Sequence, residues 1–183
     1  MKTGTGIGLT ILSFLFMAGC ATLEPSEVKE EKSSHAVIQA VPVITHSFAS
    51  KEMAPGDTWK VYLKVSDPQG AMKQIACTIE QPGIGTYPVS FIGIQDRENL
   101  SGYIYLNTVG IPNLNWVTLT LTVQIQDEDG IYSQPVTFPL SFDIRATQEA
   151  PPPGIFQEVD LGPIMITLRT LEGDHRRRFF EDD

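Results

Sequence analysis

The run VTLTLTVQIQ, from Val117 to Gln126, alternates apolar and polar residues over its whole length. A period of two places Val117, Leu119, Leu121, Val123 and Ile125 on one side of an extended chain, with Thr118, Thr120, Thr122, Gln124 and Gln126 on the other. A helix returns to one face every 3.6 residues and cannot bury such a pattern. The segment therefore needs a sheet with one face against a core. TWKVYLKVS repeats the scheme, with Trp59, Val61, Leu63 and Val65 inward and Lys60, Tyr62 and Lys64 outward. KQIACTIE puts Ile75, Cys77 and Ile79 inside, and PVTFPLSFDI alternates from Val136 to Ile144. PVITHSF, YPVSFIGI and SGYIYLNT read as weaker strands. No segment between 41 and 145 keeps a helical period. About seven short strands in this span, each with one apolar face, predict an all-β, antiparallel β-sandwich.

Turn chemistry agrees. Asp67-Pro68-Gln69-Gly70 carries Asp, Pro and Gly at the first, second and fourth corners of a type I turn, and Asp127-Glu128-Asp129-Gly130 repeats it without Pro. Pro139 lacks an N–H for a ladder and predicts an edge position or a bulge for the last strand. Strand number, strand spacing and the VSDPQG and IQDEDG turns together resemble bacterial immunoglobulin-like and fibronectin-type modules, which implies an immunoglobulin-like sandwich. The inter-sheet disulfide of antibody domains has no counterpart, since only Cys20 and Cys77 occur. Trp59 is the candidate core tryptophan.

Ahead of the strands lies a different kind of segment. Lys2 is followed by an apolar run from Ile7 to Met17, then Ala18, Gly19 and Cys20. That run is shorter than the roughly 20 residues a membrane-crossing helix needs, and polar residues follow at once, as after a secretory signal. Met17-Ala18-Gly19-Cys20 resembles the lipobox of bacterial lipoproteins. The resemblance implies cleavage between Gly19 and Cys20, a diacylglyceryl group on the Cys20 thiol and an N-acyl chain on the freed amine. Several acyl chains at about 0.8 kcal/mol per buried CH₂ anchor stably where one is marginal. Ala21 after the cysteine implies the outer membrane, facing periplasm or exterior. The GTGIG at Gly4 to Gly8 lies inside the signal, follows no strand and is not a nucleotide loop.

The expected organisation is thus a signal peptide over 1–19, a flexible tether over 20–40, the sandwich over 41–147 and a Pro-rich linker with a C-terminal tail over 148–183. The tether is rich in Glu, Lys and Ser, too polar to offset its ordering entropy. Its reach is about 25 Å, and Ser26 is placed to cap a helical turn through SEVKEEK. In the tail, Ile164, Ile166 and Leu168 fall on one side of an expected strand in PIMITLRTLEG. That strand docks on the sandwich, pairs with another chain, or stays loose.

The formal net charge of −9 argues against nucleic acid as a partner. His35, His46 and His175 have no metal-ligand spacing, and no nucleophile elbow, phosphate loop or HExxH is present. The expectation is a protein without catalytic activity. Asp67, Asp127 and Asp129 offer hard oxygens for Ca²⁺, against the plainer role of shaping two turns. Cys77 reads as a buried thiol, with an intermolecular disulfide as the alternative. Tyr62 alternates outward, and Tyr103 and Tyr105 share one face of their strand opposite Ile104 and Leu106. With Trp116 and Tyr132 near turns they form a candidate binding face of rigid aromatic area, the alternative being that Tyr103 and Tyr105 are the core face and Ile104 points out. Arg176 to Arg178 before Phe179 and Phe180 invite contact with anionic lipid or a partner's carboxylates, or are balanced by the acids around them. The functional expectation is an envelope lipoprotein that holds membrane lipid through its Cys20 acyl chains and binds an envelope protein or glycan by its sandwich. The alternatives are an assembly subunit using its C-terminal strand and an accessory subunit of a hydrolase.

Overall fold

A computed structural model describes residues 41–169. The Gly19-Cys20 cleavage point, the tether, the SEVKEEK turn, His35, His175 and the arginine-rich end lie outside the described residues. Ten strands run through the described residues, with no helix. They are β1 (Val43–Ala49), β2 (Glu52–Met53), β3 (Thr58–Ser66), β4 (Met72–Gln81), β5 (Gly85–Thr86), β6 (Ser90–Gly93), β7 (Asn99–Asn107), β8 (Thr118–Asp127), β9 (Val136–Phe142) and β10 (Asp160–Pro163). The seven expected strands are all present. The three additional ones have two residues (β2), two (β5) and four (β10), too short to register as periodicity.

Two sheets face each other. One has the order β1-β3-β7-β10; the other runs β2-β9-β8-β4-β5, with β6 also paired to β4. The first three strands of sheet one and the β9-β8-β4 core of sheet two follow the A-B-E and G-F-C order of immunoglobulin-type sandwiches. Most pairs are antiparallel, but β2 runs parallel to β9 and β10 parallel to β7, so the sheets are mixed. Trp59 is fully buried on β3, the B position, where antibody domains carry theirs on C.

The period-two residues meet between the sheets. Trp59, Val61 and Leu63 of β3, Ile75 and Ile79 of β4, Ile104 of β7, and Leu121, Val123 and Ile125 of β8 are sealed from solvent. Burying each Leu or Ile contributes about 1.5–3 kcal/mol. Trp59 Nε1 donates to Ser50 O at 2.8 Å, so its one polar atom is satisfied. Ser50 is the pivot where the chain leaves β1 for β2 and the other sheet: its hydroxyl donates to Glu52 O and accepts from Glu149 N. Among the described residues no buried side-chain nitrogen or oxygen lacks a hydrogen-bond partner.

Pro139 matches its expectation in modified form. β9 has β2 beyond it, but β2 pairs only with Ser141 and Phe142, which leaves the outer side of Pro139 open.

After β9 the chain takes the first of the three courses expected for the C-terminal segment: residues 148–169 dock on the sandwich. Gln148 Nε2 donates to Thr58 O and Gln157 N to Ser101 Oγ. Phe156 packs on Tyr62 with ring centroids 5.6 Å apart. The chain then turns into β10, which pairs Asp160 with Tyr103 and Pro163 with Tyr105. Ile164 and Leu168 are buried in the core, and Ile166 packs against it. Their alternation reflects burial, but the paired strand lies four residues earlier than the apolar run suggests. Gly102 makes this crossing possible: a Cβ there would stand 2.5 Å from Val159 O and 2.9 Å from the Leu161 side chain.

Candidate functional site

The five aromatic residues expected to form one face occupy three places. Tyr62 and Tyr103 are cross-strand neighbours on β3 and β7, and Tyr105 follows two residues on. Ile104 and Leu106 point inward, so the outward reading of Tyr103 and Tyr105 holds. Phe48, Tyr62, Tyr103 and Tyr105 form a tilted ring series with centroid separations of 5.6–6.5 Å. Tyr62 itself is only 5% exposed, which removes it from any free surface. Its cover is non-local. Phe156 lies on its ring, and its hydroxyl donates to Glu158 Oε1 at 2.8 Å.

Glu158 clasps the C-terminal segment to this face. Its other oxygen accepts from Lys60 Nζ at 3.0 Å, and Lys60 Nζ sits 4.0 Å from the Tyr103 ring centroid. The Lys60 and Tyr62 hydrogen bonds hold the Glu158 carboxyl below the usual carboxylate range. The Glu158 bond raises Lys60. Burial, then the same carboxylate, raises Tyr62. This cluster is a structural clamp.

Asp67 and Asp127 are both buried, and their carboxylates serve their own turns. Asp67 accepts from Gln69 N and Ala71 N at 3.0 and 2.9 Å, and Asp127 Oδ1 accepts from Ile131 N at 2.7 Å. Gly70 N and Gly130 N donate to Asp67 O and Asp127 O, closing both turns as expected. Asp129 is exposed on the second turn. Among the described residues no group of three or more His, Cys, Asp or Glu is arranged to hold a metal. Cys77 is a free thiol in the core, and burial pushes it up to about 12. Tyr132 is exposed at the β8–β9 end and bridges Gln126.

A cleft of about 320 Å³ opens beside β7, lined in part by Gln95, Asp96, Asn99, Gln157 and Asp160. Its acids are committed to local backbone: Asp96 Oδ1 accepts from Glu98 N and Asn99 N, and Asp160 Oδ1 from Gly162 N.

Trp116 is placed differently from every other aromatic. It is 77% exposed and has φ of 69°. Left-handed backbone costs a non-glycine residue about 1–2 kcal/mol, and for a bulky side chain it is a genuine outlier. Three contacts hold it there. Leu114, two residues earlier, is fully buried; Trp116 N donates to Phe142 O; and Val117 N donates to Leu114 O. Ile144, 73% exposed, is fixed beside this turn by Ile144 N donating to Asn115 Oδ1. An aromatic and an aliphatic side chain are thus displayed to solvent at the β7–β8 end. Proximity to a turn pointed to Trp116; the left-handed backbone and the Asn115 link to Ile144 have no sequence signature.

Comparisons with protein-family models, with curated proteins and with solved structures find no match.

Proposed function

We propose that the chain is a lipid-anchored bacterial envelope protein that works by binding, through the displayed Trp116 end of its sandwich, to another envelope protein. Cys20 behind the apolar run supports the anchor. Trp116 carries the binding reading: a large apolar side chain is held in water at a backbone cost, and such strain collects at functional positions. Tryptophan is also the residue most enriched where binding energy concentrates. Cleavage before Cys20 removes Lys2 and takes the formal charge from −9 to −10, which keeps copies of the domain apart in solution.

Two measurements test this. Intact-mass analysis of native material should give a chain starting at Cys20 with acyl mass added. A chain starting elsewhere, or an unmodified thiol there, removes the anchor. Trp116→Gly should leave stability unchanged or raise it by up to about 1 kcal/mol, because glycine accepts the left-handed backbone. The same variant should lose the crosslinks that a photoreactive group at Ile144 makes to envelope proteins in the wild type. Crosslinks of equal yield in the variant would remove Trp116 from the contact.

A further inference from the structure

The outer face of sheet two is almost uncharged. Among the described residues, the outward positions of β4 from Gln74 to Glu80, of β6, of β8 from Thr118 to Gln126 and of β9 from Thr137 to Ser141 carry one charge, Glu80, and the margins of the sheet add exposed Glu52 on β2 and Lys73 at the start of β4. The outer face of sheet one, by contrast, carries His46, Lys60, Lys64 and the docked Glu158. Threonine dominates the neutral face. Thr118, Thr120 and Thr122 stand in a row along β8, at steps of about 6.8 Å. Thr122 pairs laterally with Thr78 on β4 and Thr137 on β9, each about 4.8 Å away. The five side chains form a T with Thr122 at the junction, and no hydrogen bond within the described residues occupies their hydroxyls.

Two further features shape this surface. At one end, Gln74 Nε2 donates to Gln126 Oε1 and Gln124 Nε2 to Ser133 O, so the amides are held in fixed orientation. At the other end a groove of about 270 Å³ opens beside Thr118, Thr120 and Pro139, with Lys51 and Glu52 on its far wall as a pair of opposite charges. Phe91, half exposed, borders the face at β6.

We infer that this face binds an uncharged polysaccharide laid along the β8 threonine row. The inference rests on reading the domain as a non-catalytic binding module and uses a surface separate from Trp116. Each threonine hydroxyl both donates and accepts, which matches a sugar hydroxyl, whereas a partner of one charge sign finds no charge along the row and both signs, Lys51 and Lys73 against Glu52 and Glu80, at its margins. A second copy of the chain fits less well, since interfaces between identical chains have more apolar cores than a threonine and glutamine surface supplies. An exposed aromatic at the margin adds stacking area against a sugar ring.

The test uses the full chain in detergent and measures retention on microcrystalline cellulose, chitin and crosslinked dextran from low to high salt. Wild-type protein should be retained on at least one of them, to an extent that salt does not change, because no ion pair is screened. Thr122→Lys and Thr120→Lys sit on a solvent-facing strand surface and should lower retention about tenfold or more, by leaving an unpaired charge under the ligand. Both should melt within a few degrees of wild type. Trp116→Gly should be retained like wild type. Absence of retention on all three polymers overturns the inference. So do variants retained equally well, or loss of retention in Trp116→Gly, which would move the glycan site to that end. Sedimentation showing a dimer that Thr122→Lys dissociates would assign the face to self-association instead.

Discussion

Gly102→Ala is expected to unlatch the C-terminal segment while leaving the rest of the sandwich intact. The added methyl would stand 2.5 Å from Val159 O. Reaching ordinary contact requires the two to separate by about 0.9 Å, and the crowding atom is backbone, which cannot swing aside. Overpacking of this kind costs about 1–3 kcal/mol. The shift also breaks the 2.9 Å bond from Tyr103 N to Val159 O, worth about 0.5–1.5 kcal/mol net. Together the loss is about 2–4 kcal/mol, or a fall in Tm on the order of 10 °C for a domain of this size. Gly93→Ala is the control, because a Cβ at Gly93 meets nothing within 4 Å. Urea unfolding gives the magnitude. Hydrogen exchange gives the location: the Tyr103 amide and residues 157–168 should lose protection well before β8. A change below about 0.5 kcal/mol with the Tyr103 amide still protected would refute the argument, since it would mean that Val159 does not cross Gly102 as described.

Three other outcomes are expected. Asp67→Ala strands two turn amides and should destabilise by about 2–4 kcal/mol, without rescue by added Ca²⁺; rescue would restore a metal role for this turn. Cys77 should resist a thiol reagent at pH 8 in the folded protein, since its thiol is pushed up to about 12, and react fully in denaturant. A protein lipidated at Cys20 should then titrate one thiol and not two. The Glu158 clamp should be pH-dependent at both extremes. A lowered carboxylate adds stability above its unfolded value, near 4.3, which disappears as pH falls through the lower folded value. Raised Lys60 and Tyr62 add stability below their unfolded values, near 10, which disappears as pH rises through the folded ones. Protease cleavage within 150–160 should therefore speed up below about pH 4 and above about pH 10, and a flat profile in Glu158→Gln at the acid end would complete the test.

Much of the core was legible because it is local. In β3, β4, β8 and β9 the inward side chains follow from alternation, except that β9 ends at Phe142 and leaves Ile144 exposed. In β7 alternation pairs Tyr103 with Tyr105 and Ile104 with Leu106 but does not say which pair is the core, and packing put the aliphatic pair inside. Tyr62 was not legible. It obeys the alternation and points outward, yet it is sealed by Phe156 and Glu158, nearly a hundred residues further on. Local pattern says which way a side chain faces, not what later lands on it. The C-terminal strand illustrates the converse. Ile164 and Leu168 announced burial, while the pairing itself falls to Asp160–Pro163, with Gly162 at a register shift, where no periodicity exists to read. Of the candidate site, Trp116 could be named but not ranked. Its distinction is a positive φ, and a tryptophan codes for none. The threonine row was written in VTLTLTVQIQ from the start, but its lack of charge becomes a surface property only when β4, β6 and β9 are set beside it.

The place of β10 has a consequence for how the molecule is made. A ribosome delivers β1 through β9 first, and during that interval the flank of β7 and the ring of Tyr62 have no cover. The final piece of the sandwich arrives only when Leu168 has been synthesised. Until then the sheet of β1, β3 and β7 stands with one flank unpaired, so the order of synthesis alone holds back the last step of closure.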